Sequence, residues 1–380
     1  MHLRRVLCAL LTVSFSVAAC GASTVPPPWR QLVQLTTPLR WRSSGTDTFE
    51  VWICRVPTDT TASMYSGFPL RRPLRASVVA AQVGRRVTPY YAELSHGKYR
   101  PVFGVGGDVL MTRSDTPDDC IREAISRSAP TTRAVLAVAD AEHAPGQPGG
   151  FGSGGTDGGD ATSRPASATH RYAYVGAADF SPSFGDDPPM DLVEHEIGHT
   201  LGWVHSGVRS GSAAEYLSAL DVMSNSAAPR EAFPARRDGQ DTLAIDRFIA
   251  GWLPASAVIV ASSPGSFRLA PSSGQKGERL LVLAGDPTSF VTVELLTRDG
   301  FDAHLPTSGF AVHRVTITDG AMQPIEAMNG DPPYTALLTP GRSLDVGNWR
   351  IRVLDGDPAT VAVDSLGNAV SNAGKTVGNP

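Results

Sequence analysis

The sequence predicts an α+β domain followed by an all-β domain that folds as an antiparallel sandwich. Up to residue 205, apolar segments at strand spacing alternate with segments at helical spacing. After residue 255, only short apolar runs occur, separated by Gly, Pro and Asp. The 380 residues, 41 % hydrophobic and 18 % charged, suffice for two packed cores. We therefore divide the chain into residues 1–20, 21–48, 49–255 and 256–380.

The first twenty residues, MHLRRVLCALLTVSFSVAAC, are typical of an export signal. Arg4 and Arg5 precede an apolar run from Val6 to Ala19, which is too short to span a membrane as a helix. The end of this segment resembles the lipobox of bacterial lipoproteins, which implies lipidation of Cys20. We expect an exported protein anchored to the outer face of the cell membrane, with residues 21–48 as a Pro/Ser/Thr-rich tether. The alternative is a secreted protein that is cut nearby, with Cys20 incidental.

Charge and cysteine content narrow the possible partners and the compartment. The formal net charge is −4 and no basic run clusters with aromatic residues, so we expect no nucleic-acid partner. Two of the four cysteines lie in the leader, which leaves Cys54 and Cys120. An even number in an oxidising compartment favours a structural disulfide between them.

The α+β region begins with alternating strand and helix signals. Pro89 is expected to break or start a segment within the first of the two predicted helices. Thr116 and Pro117 suit the cap and the first turn of the second predicted helix. In chain order the segments are the strand TFEVWICRVP, the helix LRASVVAAQVGRRVTPYYAELSHG, the strand YRPVFGVGGDVLM, the helix TPDDCIREAISRSA and the strand TTRAVLAVAD.

A low-complexity tract from Pro145 to Pro165 predicts a long loop. Its Asp157 and Asp160 could bind Ca²⁺, but the pattern lacks a full ligand loop, so a solvated loop is favoured. His143 and His170 flank the tract and offer a second, structural zinc site as a minor alternative. The strand ATHRYAYVGAADF and the helix DLVEHEIGHTLG follow.

The last of these helices opens the stretch HEIGHTLGWVHS, which predicts a metal site. Residues four apart share one helix face, so His195 and His199 can bind the same ion while Glu196 lies beside it. Gly202 is a natural helix end, because glycine enters the left-handed conformation readily. The turn there can bring His205 back as a third ligand.

Three imidazole ligands predict a catalytic rather than a structural zinc site. They leave the fourth tetrahedral position open for a water molecule, whose pKa zinc lowers towards ~7. A neighbouring carboxylate can take the proton of that water and pass it to the leaving group. The pattern therefore predicts metal-assisted hydrolysis with Glu196 as the general base.

The spacing His195-Glu196-x-x-His199-x-x-Gly202-x-x-His205 resembles the extended zinc signature of the metzincin metallopeptidases. Met223, in SALDVMSNS, matches the family's methionine turn. The family's fold and activity imply a metzincin-like zinc peptidase domain over residues 49–255, acting on proteins or peptides. Asn225 stands where the astacin and serralysin branches have a tyrosine ligand, and the third ligand is not the aspartate of the snapalysin-type branch. The helix LAIDRFIAGWLP and the strands after it are similar to gametolysin-like and immune-inhibitor-A-like enzymes.

Three alternatives stay open at this point. CRVPTD at Cys54 faintly resembles a cysteine switch, in which a thiol blocks the metal, and this competes with the disulfide. The chain could be a catalytically silent binding lipoprotein on a metalloprotease fold. It could also be a zinc hydrolase that acts on a bond other than a peptide bond, although no Gly-x-Ser-x-Gly elbow supports a serine nucleophile.

Overall fold

Five strands from the first half of the chain form one mixed sheet. A computed structural model of the protein describes residues 25–39, 43–67, 70–154, 171–209, 216–328 and 337–366. The sheet has the order β2-β1-β3-β5-β4, and only β4, at one edge, runs antiparallel to its neighbour. Its strands are β1 (Gly45–Arg55), β2 (Tyr99–Leu110), β3 (Ala134–Ala139), β4 (Gly150–Ser153) and β5 (Tyr172–Val175).

Helices cover both faces of this sheet. Along β1, Phe49 and Val51 face the main core, whereas Trp52 and Cys54 face a second core on the opposite side. Alternate residues of a strand point to opposite faces, so β3, which is buried on both faces, is apolar throughout. The helices of the chain are α1 (Pro27–Leu39), α2 (Ala76–Leu94), α3 (Pro117–Arg127), α4 (Asp191–Thr200), α5 (Ala228–Ala232) and α6 (Ala244–Ile249).

Helix α2 passes through Pro89 without a break, so the expectation that this proline breaks or starts a segment is wrong. Pro89 is exposed, whereas Val83, Val87 and Tyr90 are buried against the sheet. Water can bind the helix carbonyl that a proline leaves without a donor, and this reduces the cost of a proline on the solvent face.

Helix α3 is tied to β1 by a disulfide between Cys54 and Cys120, whose Cα atoms lie 5.9 Å apart. Both cysteines are fully buried in the second core. Thr116 caps the helix through a reciprocal capping box with Asp119, and Pro117 follows in the first turn. Because Cys54 is bonded to Cys120, its thiol is not available to block a metal as a cysteine switch would require.

Part of the predicted tether is folded. Residues 21–48 contain α1 and the start of β1. Trp29 is 5 % exposed and packs against Phe248 and Phe290, with ring centroids 4.7 and 5.6 Å away. The Pro- and Thr-rich composition hid this helix, but Trp29 and Leu32 lie three residues apart on one face. Helix α1 is therefore part of the main core.

A seven-stranded sheet dominates the rest of the chain. Its order is β6-β13-β11-β10-β9-β7, with β12 paired to β11 at one end. The strands are β6 (Ser206–Arg209), β7 (Val258–Ala261), β9 (Leu280–Ala284), β10 (Ser289–Leu296), β11 (Gly309–Thr318), β12 (Ala321–Met322) and β13 (Ile325–Ala327). Because β6 precedes α5 and α6 in the chain, this sheet includes a strand from the predicted peptidase region.

A second, four-stranded antiparallel sheet packs on one face of the seven-stranded sheet. Side chains such as Leu283 and Val293 from the larger sheet meet Ile351 and Val361 from the smaller one. The smaller sheet, in the order β14-β15-β16-β8, consists of β8 (Gly265–Arg268), β14 (Ser343–Val346), β15 (Trp349–Leu354) and β16 (Asp357–Ser365). The described residues are thus mixed α/β, with a C-terminal region that is all-β apart from single 3₁₀ turns.

Several predicted features lie outside the described residues. They include the leader with Cys20, the tract containing Asp157 and Asp160, and His170. Among the helices that are described, none is long and apolar enough to cross a membrane.

Replacing Trp29 by Ala tests the packing of α1. We expect the free energy of unfolding to fall by about 3–5 kcal/mol, because a large aromatic side chain leaves a cavity in the main core. Leu35→Ala is the control, since Leu35 is 36 % exposed on the same helix and should change stability by less than about 0.5 kcal/mol. Equal effects of the two changes in chemical denaturation would contradict the docking of α1.

Candidate metal centre

Helix α4 and the turn after it bring three histidines together. His195 and His199 lie one turn apart on α4. The helix ends at Leu201, and Gly202 has a φ of +89°, which a side chain would strain. This reversal returns the chain towards the helix, so that His205 faces the other two imidazoles. The three rings lie with centroids 4.7–5.3 Å apart.

The ligand nitrogens of the three histidines fit one metal ion. One nitrogen from each ring lies within 4.8 Å of the others, and the Nε2 atoms of His199 and His205 are 3.0 Å apart. Tetrahedral zinc with nitrogen distances of about 2.0–2.1 Å separates its ligands by about 3.3 Å. Among the described residues, this is the one group of three or more His, Cys, Asp or Glu that could hold a metal. Its donor chemistry suits a transition metal of the zinc type.

Backbone carbonyls set the tautomer of two of the ligands. His195 Nδ1 is 2.7 Å from the carbonyl oxygen of Val222, and His199 Nδ1 is 2.9 Å from that of Trp203. A carbonyl oxygen can only accept, so each Nδ1 carries the proton and each Nε2 offers its lone pair to the metal. Burial, followed by the neighbouring imidazoles, lowers the pKa of His195 to about 3 and that of His199 to about 4. Both rings are therefore neutral at neutral pH.

The C-terminal sheet holds the third ligand in place. The backbone N–H of Ile325, in β13, donates to the carbonyl oxygen of His205 at 2.8 Å. The next residue, Ser206, begins β6 and donates from its backbone to the carbonyl of Met223 at 3.0 Å. His205 is thus fixed from both sides, by the all-β region and by the methionine turn.

Met223 lies beneath α4, as the resemblance implies. It is fully buried, and a Cβ added to Gly198 would lie 2.4 Å from its sulfur. The residue before it, Val222, supplies the carbonyl that binds His195. The segment around Met223 therefore packs against α4 and orients the imidazole of His195 by a hydrogen bond.

Glu196 is buried beside the histidines and is not part of their ligand cluster. It is 2 % exposed, and its Oε2 has no hydrogen-bond partner among the described residues. Burial raises its pKa well above the usual value. A metal cation nearby would favour the charged form and oppose this effect. One oxygen of this carboxyl group therefore lacks the hydrogen bond that a buried polar atom usually makes among the described residues.

A cleft of about 230 Å³ opens in front of Glu196 and His195. Strand β4 and the loop before it form one wall, α4 forms the base, and the segment after Met223 forms the other wall. The lining residues are Pro148, Gly149, Gly150, Leu192, His195, Glu196, Tyr216, Ser224, Asn225 and Ser226. Apart from Glu196 and the neutral imidazole of His195, the lining carries no acidic or basic side chain, so the cleft suits an uncharged part of a ligand.

Tyr216 belongs to the site, and sequence reasoning missed it. Its hydroxyl lies 3.1 Å from His205 Nε2, and its ring faces His195 and His205. The astacin and serralysin branches carry their tyrosine ligand two residues after the methionine, where this chain has Asn225. Tyr216 instead precedes the methionine turn, and no local pattern marks it, because its place depends on the path of the loop between β6 and Met223.

His143, which the sequence offers as a possible ligand of a second zinc ion, makes contacts that stabilise the fold. His143 Nδ1 donates to the carbonyl of Pro148 at 2.7 Å, and its ring stacks on Tyr174. This bond fixes the loop that leads into β4. The described residues give no metal cluster at His143.

Comparison with known proteins does not assign the chain to a family. No protein-family model matches it, and no curated protein matches it at a significant level. What the chain can do must therefore be argued from its own site.

Removal of one imidazole tests the metal centre. We expect the purified protein to bind one zinc-type ion, and His199→Ala to weaken that binding by more than about 100-fold, because loss of a ligand costs more than loss of an outer partner. His96→Asn is the control, since His96 contacts Gly274 and lies outside the cluster. Metal affinity by competition with a chelator is the measurement. Unchanged affinity of His199→Ala would contradict the site.

Substitution of Gly152 tests the close contact between β4 and α4. A Cβ there would lie 2.3 Å from the backbone oxygen of Glu196 and 2.9 Å from His199 Cβ. Gly152→Ala should displace β4, weaken metal binding and lower the free energy of unfolding by about 1–3 kcal/mol. Gly104→Ala, whose Cβ would meet its nearest atom at 3.8 Å, is the matched control in the same sheet. If both variants behave like the parent, the edge strand does not constrain the site.

Proposed function

We propose that the protein is an exported zinc metallopeptidase that hydrolyses peptide bonds with Glu196 as the general base. The observation that carries this proposal is the placement of Glu196. Its buried carboxyl group, whose Oε2 has no partner among the described residues, lines the same cleft as His195, one residue along the helix. Such a group destabilises a fold unless the site uses it, because burial of an uncompensated acid is costly.

The resemblance to metzincins supports zinc as the metal and a peptide as the substrate. His195, His199 and His205 would hold the ion, and the family's third imidazole, glycine turn and methionine turn all have counterparts in this chain. When bound, zinc supplies a Lewis acid that polarises a carbonyl and acidifies a water molecule.

The side chains of the site have separate parts in the proposed reaction. Glu196 takes the proton of the attacking water and delivers it to the leaving amine. Val222 and Trp203 hold the protons of His195 and His199 on Nδ1, so that each ring would present its Nε2 lone pair to the ion. Tyr216 offers a hydroxyl donor at the same edge of the cleft.

Strand β4 supports an extended peptide as the substrate. It is the last strand of its sheet among the described residues, so its outer edge has no strand paired to it there. An extended peptide can add to such an edge through backbone hydrogen bonds. This favours peptide hydrolysis over hydrolysis of a smaller non-peptide bond.

Export and anchoring are also proposals. The leader pattern with Cys20 predicts a lipoprotein on the outer face of the cell membrane, and the Cys54–Cys120 disulfide suits an oxidising compartment. The competing function is a silent binding lipoprotein. The intact Glu196 disfavours it, since a binding protein gains nothing from a buried acid beside its metal.

Glu196→Gln separates the two functions. The variant keeps the shape and burial of the side chain, so we expect unchanged zinc content. Cleavage of a mixed peptide library should fall by about 100-fold or more, because the proton acceptor is lost. The control is the zinc-loaded parent chain, residues 21–380, on the same library. A zinc-loaded parent that cleaves no peptide would contradict the peptidase and favour the binding protein.

A further inference from the structure

The hydrogen bonds that orient the three ligands lead to one buried polar network beneath the site. Ser206, which follows His205, donates to Asp221. Asp221 precedes Val222, whose carbonyl binds His195. The indole Nε1 of Trp203, whose carbonyl binds His199, donates to the backbone oxygen of Asp246 at 3.0 Å. The partners of all three ligands therefore meet at Asp221 and Asp246.

A single hydroxyl group bridges these two carboxyl groups. Thr242 Oγ1 lies 3.1 Å from Asp221 Oδ1 and 3.4 Å from Asp246 Oδ2. A hydroxyl has one proton to donate, so it can donate to only one of the two. The other contact is a hydrogen bond only if that carboxyl group carries a proton of its own.

Asp221 is the acceptor of the pair. Besides Thr242, it accepts from the Ser206 hydroxyl and from the backbone N–H groups of Met223 and Leu243. Several donors that converge on one carboxylate favour its ionised form. Burial raises the pKa of Asp221 to about 6, so it remains charged at neutral pH.

Asp246 has the opposite environment. It is fully buried, and its Oδ1 has no hydrogen-bond partner among the described residues. The neighbouring guanidinium of Arg247 is directed instead to Asp241, to the carbonyl of Thr242 and to that of Leu94. Asp246 therefore has no hydrogen bond to the guanidinium, and Arg247 offsets only a small part of the effect of burial on its pKa.

The groups that face Asp246 come from several elements. Asp221 lies in the methionine turn, Glu294 in β10, Arg247 in α6 and Tyr91 in α2. Asp241 and Asp302 lie further along the same network, around Arg247. Ionisation of every one of these carboxyl groups would place several negative charges around one guanidinium in a region closed to water, which is unfavourable.

We propose that Asp246 is a protonated carboxylic acid in the native protein and a positioning residue of the metal centre. It donates its proton to Thr242, Thr242 donates to Asp221, and this chain holds together the segments that orient His195, His199 and His205. The inference rests on the metal centre of the proposed function but not on peptide cleavage, so the two can fail separately.

A protonated Asp246 implies that metal binding weakens as the pH rises. Burial, followed by Asp221 and Glu294, raises the pKa of Asp246 well above its usual value, and burial raises that of Glu294 to about 8. A group whose pKa is higher in the folded than in the unfolded state stabilises fully below its unfolded pKa. That stability is lost as the pH rises through the folded value. Alkaline pH should therefore loosen the network and weaken metal binding.

Two isosteric changes test the assignment. Asp246→Asn keeps a neutral donor towards Thr242, so we expect metal affinity within about threefold of the parent at neutral pH and a flatter decline of that affinity towards alkaline pH. Asp221→Asn, the matched variant, places an amide against several donors and should weaken metal binding by about 10–100-fold. Chelator competition measures both.

An infrared measurement reads the proton directly. The spectrum of the parent at neutral pH should contain a carbonyl band of a neutral carboxylic acid that Asp246→Asn lacks. The assignment is overturned if that band is absent from the difference spectrum. It is also overturned if Asp246→Asn fails to fold or binds metal as poorly as Asp221→Asn. A decline of metal affinity at alkaline pH that is equal in Asp246→Asn and the parent would overturn it as well. Because none of these measurements uses cleavage, a catalytically silent protein would give the same answers.

Discussion

The structure of the site depends on two hydrogen bonds from imidazole Nδ1 atoms to backbone carbonyls. They place the free lone pairs of His195 and His199 on Nε2, which makes the pair a metal ligand set rather than two buried bases. Each carbonyl must be held by its own surroundings. Gly202 turns the chain so that Trp203 faces back to His199, and the methionine turn presents Val222 to His195. The turn at Gly202 and the buried turn at Met223 therefore have the same effect, since each places a backbone carbonyl next to the Nδ1 of one histidine.

Several carboxyl groups are buried near these carbonyls, and burial of a negative charge is unfavourable. Hydrogen bonds to the carboxylate, or a proton on the carboxyl group, reduce this cost. Glu196 faces the cleft with one oxygen unpartnered, where an incoming cation can stabilise its charge. Asp246 and Glu294 lie deeper, where water and metal do not reach, and the raised pKa of each favours the neutral form. Burial therefore raises the pKa of all three acids, but of the three only Glu196 lines a cleft through which a cation can approach.

Local periodicity in the sequence predicts individual helices and turns well, but it predicts contacts between distant segments poorly. The spacing of His195 and His199 predicts the shared helix face, because helical geometry determines it. Gly202 predicts the turn, because glycine readily adopts a positive φ. Helix α1 was missed because prolines and threonines mask the pair Trp29 and Leu32, and Tyr216 was missed because its contact depends on the path of a loop. The parallel pairing of β6 with β13 joins segments more than a hundred residues apart, which no short pattern encodes.

That pairing gives the C-terminal region a part in the site. The main core includes Val222 and Met223 from the methionine turn together with Phe290, Val315 and Ile325 from the later sheet, so it extends across residue 255. Ile325 donates directly to the carbonyl of His205, the third ligand. The metal-binding motif therefore needs the all-β region to hold His205 in place, since α4 positions only the first two ligands. In this chain the later sheet therefore fixes the backbone of one residue of the candidate metal centre.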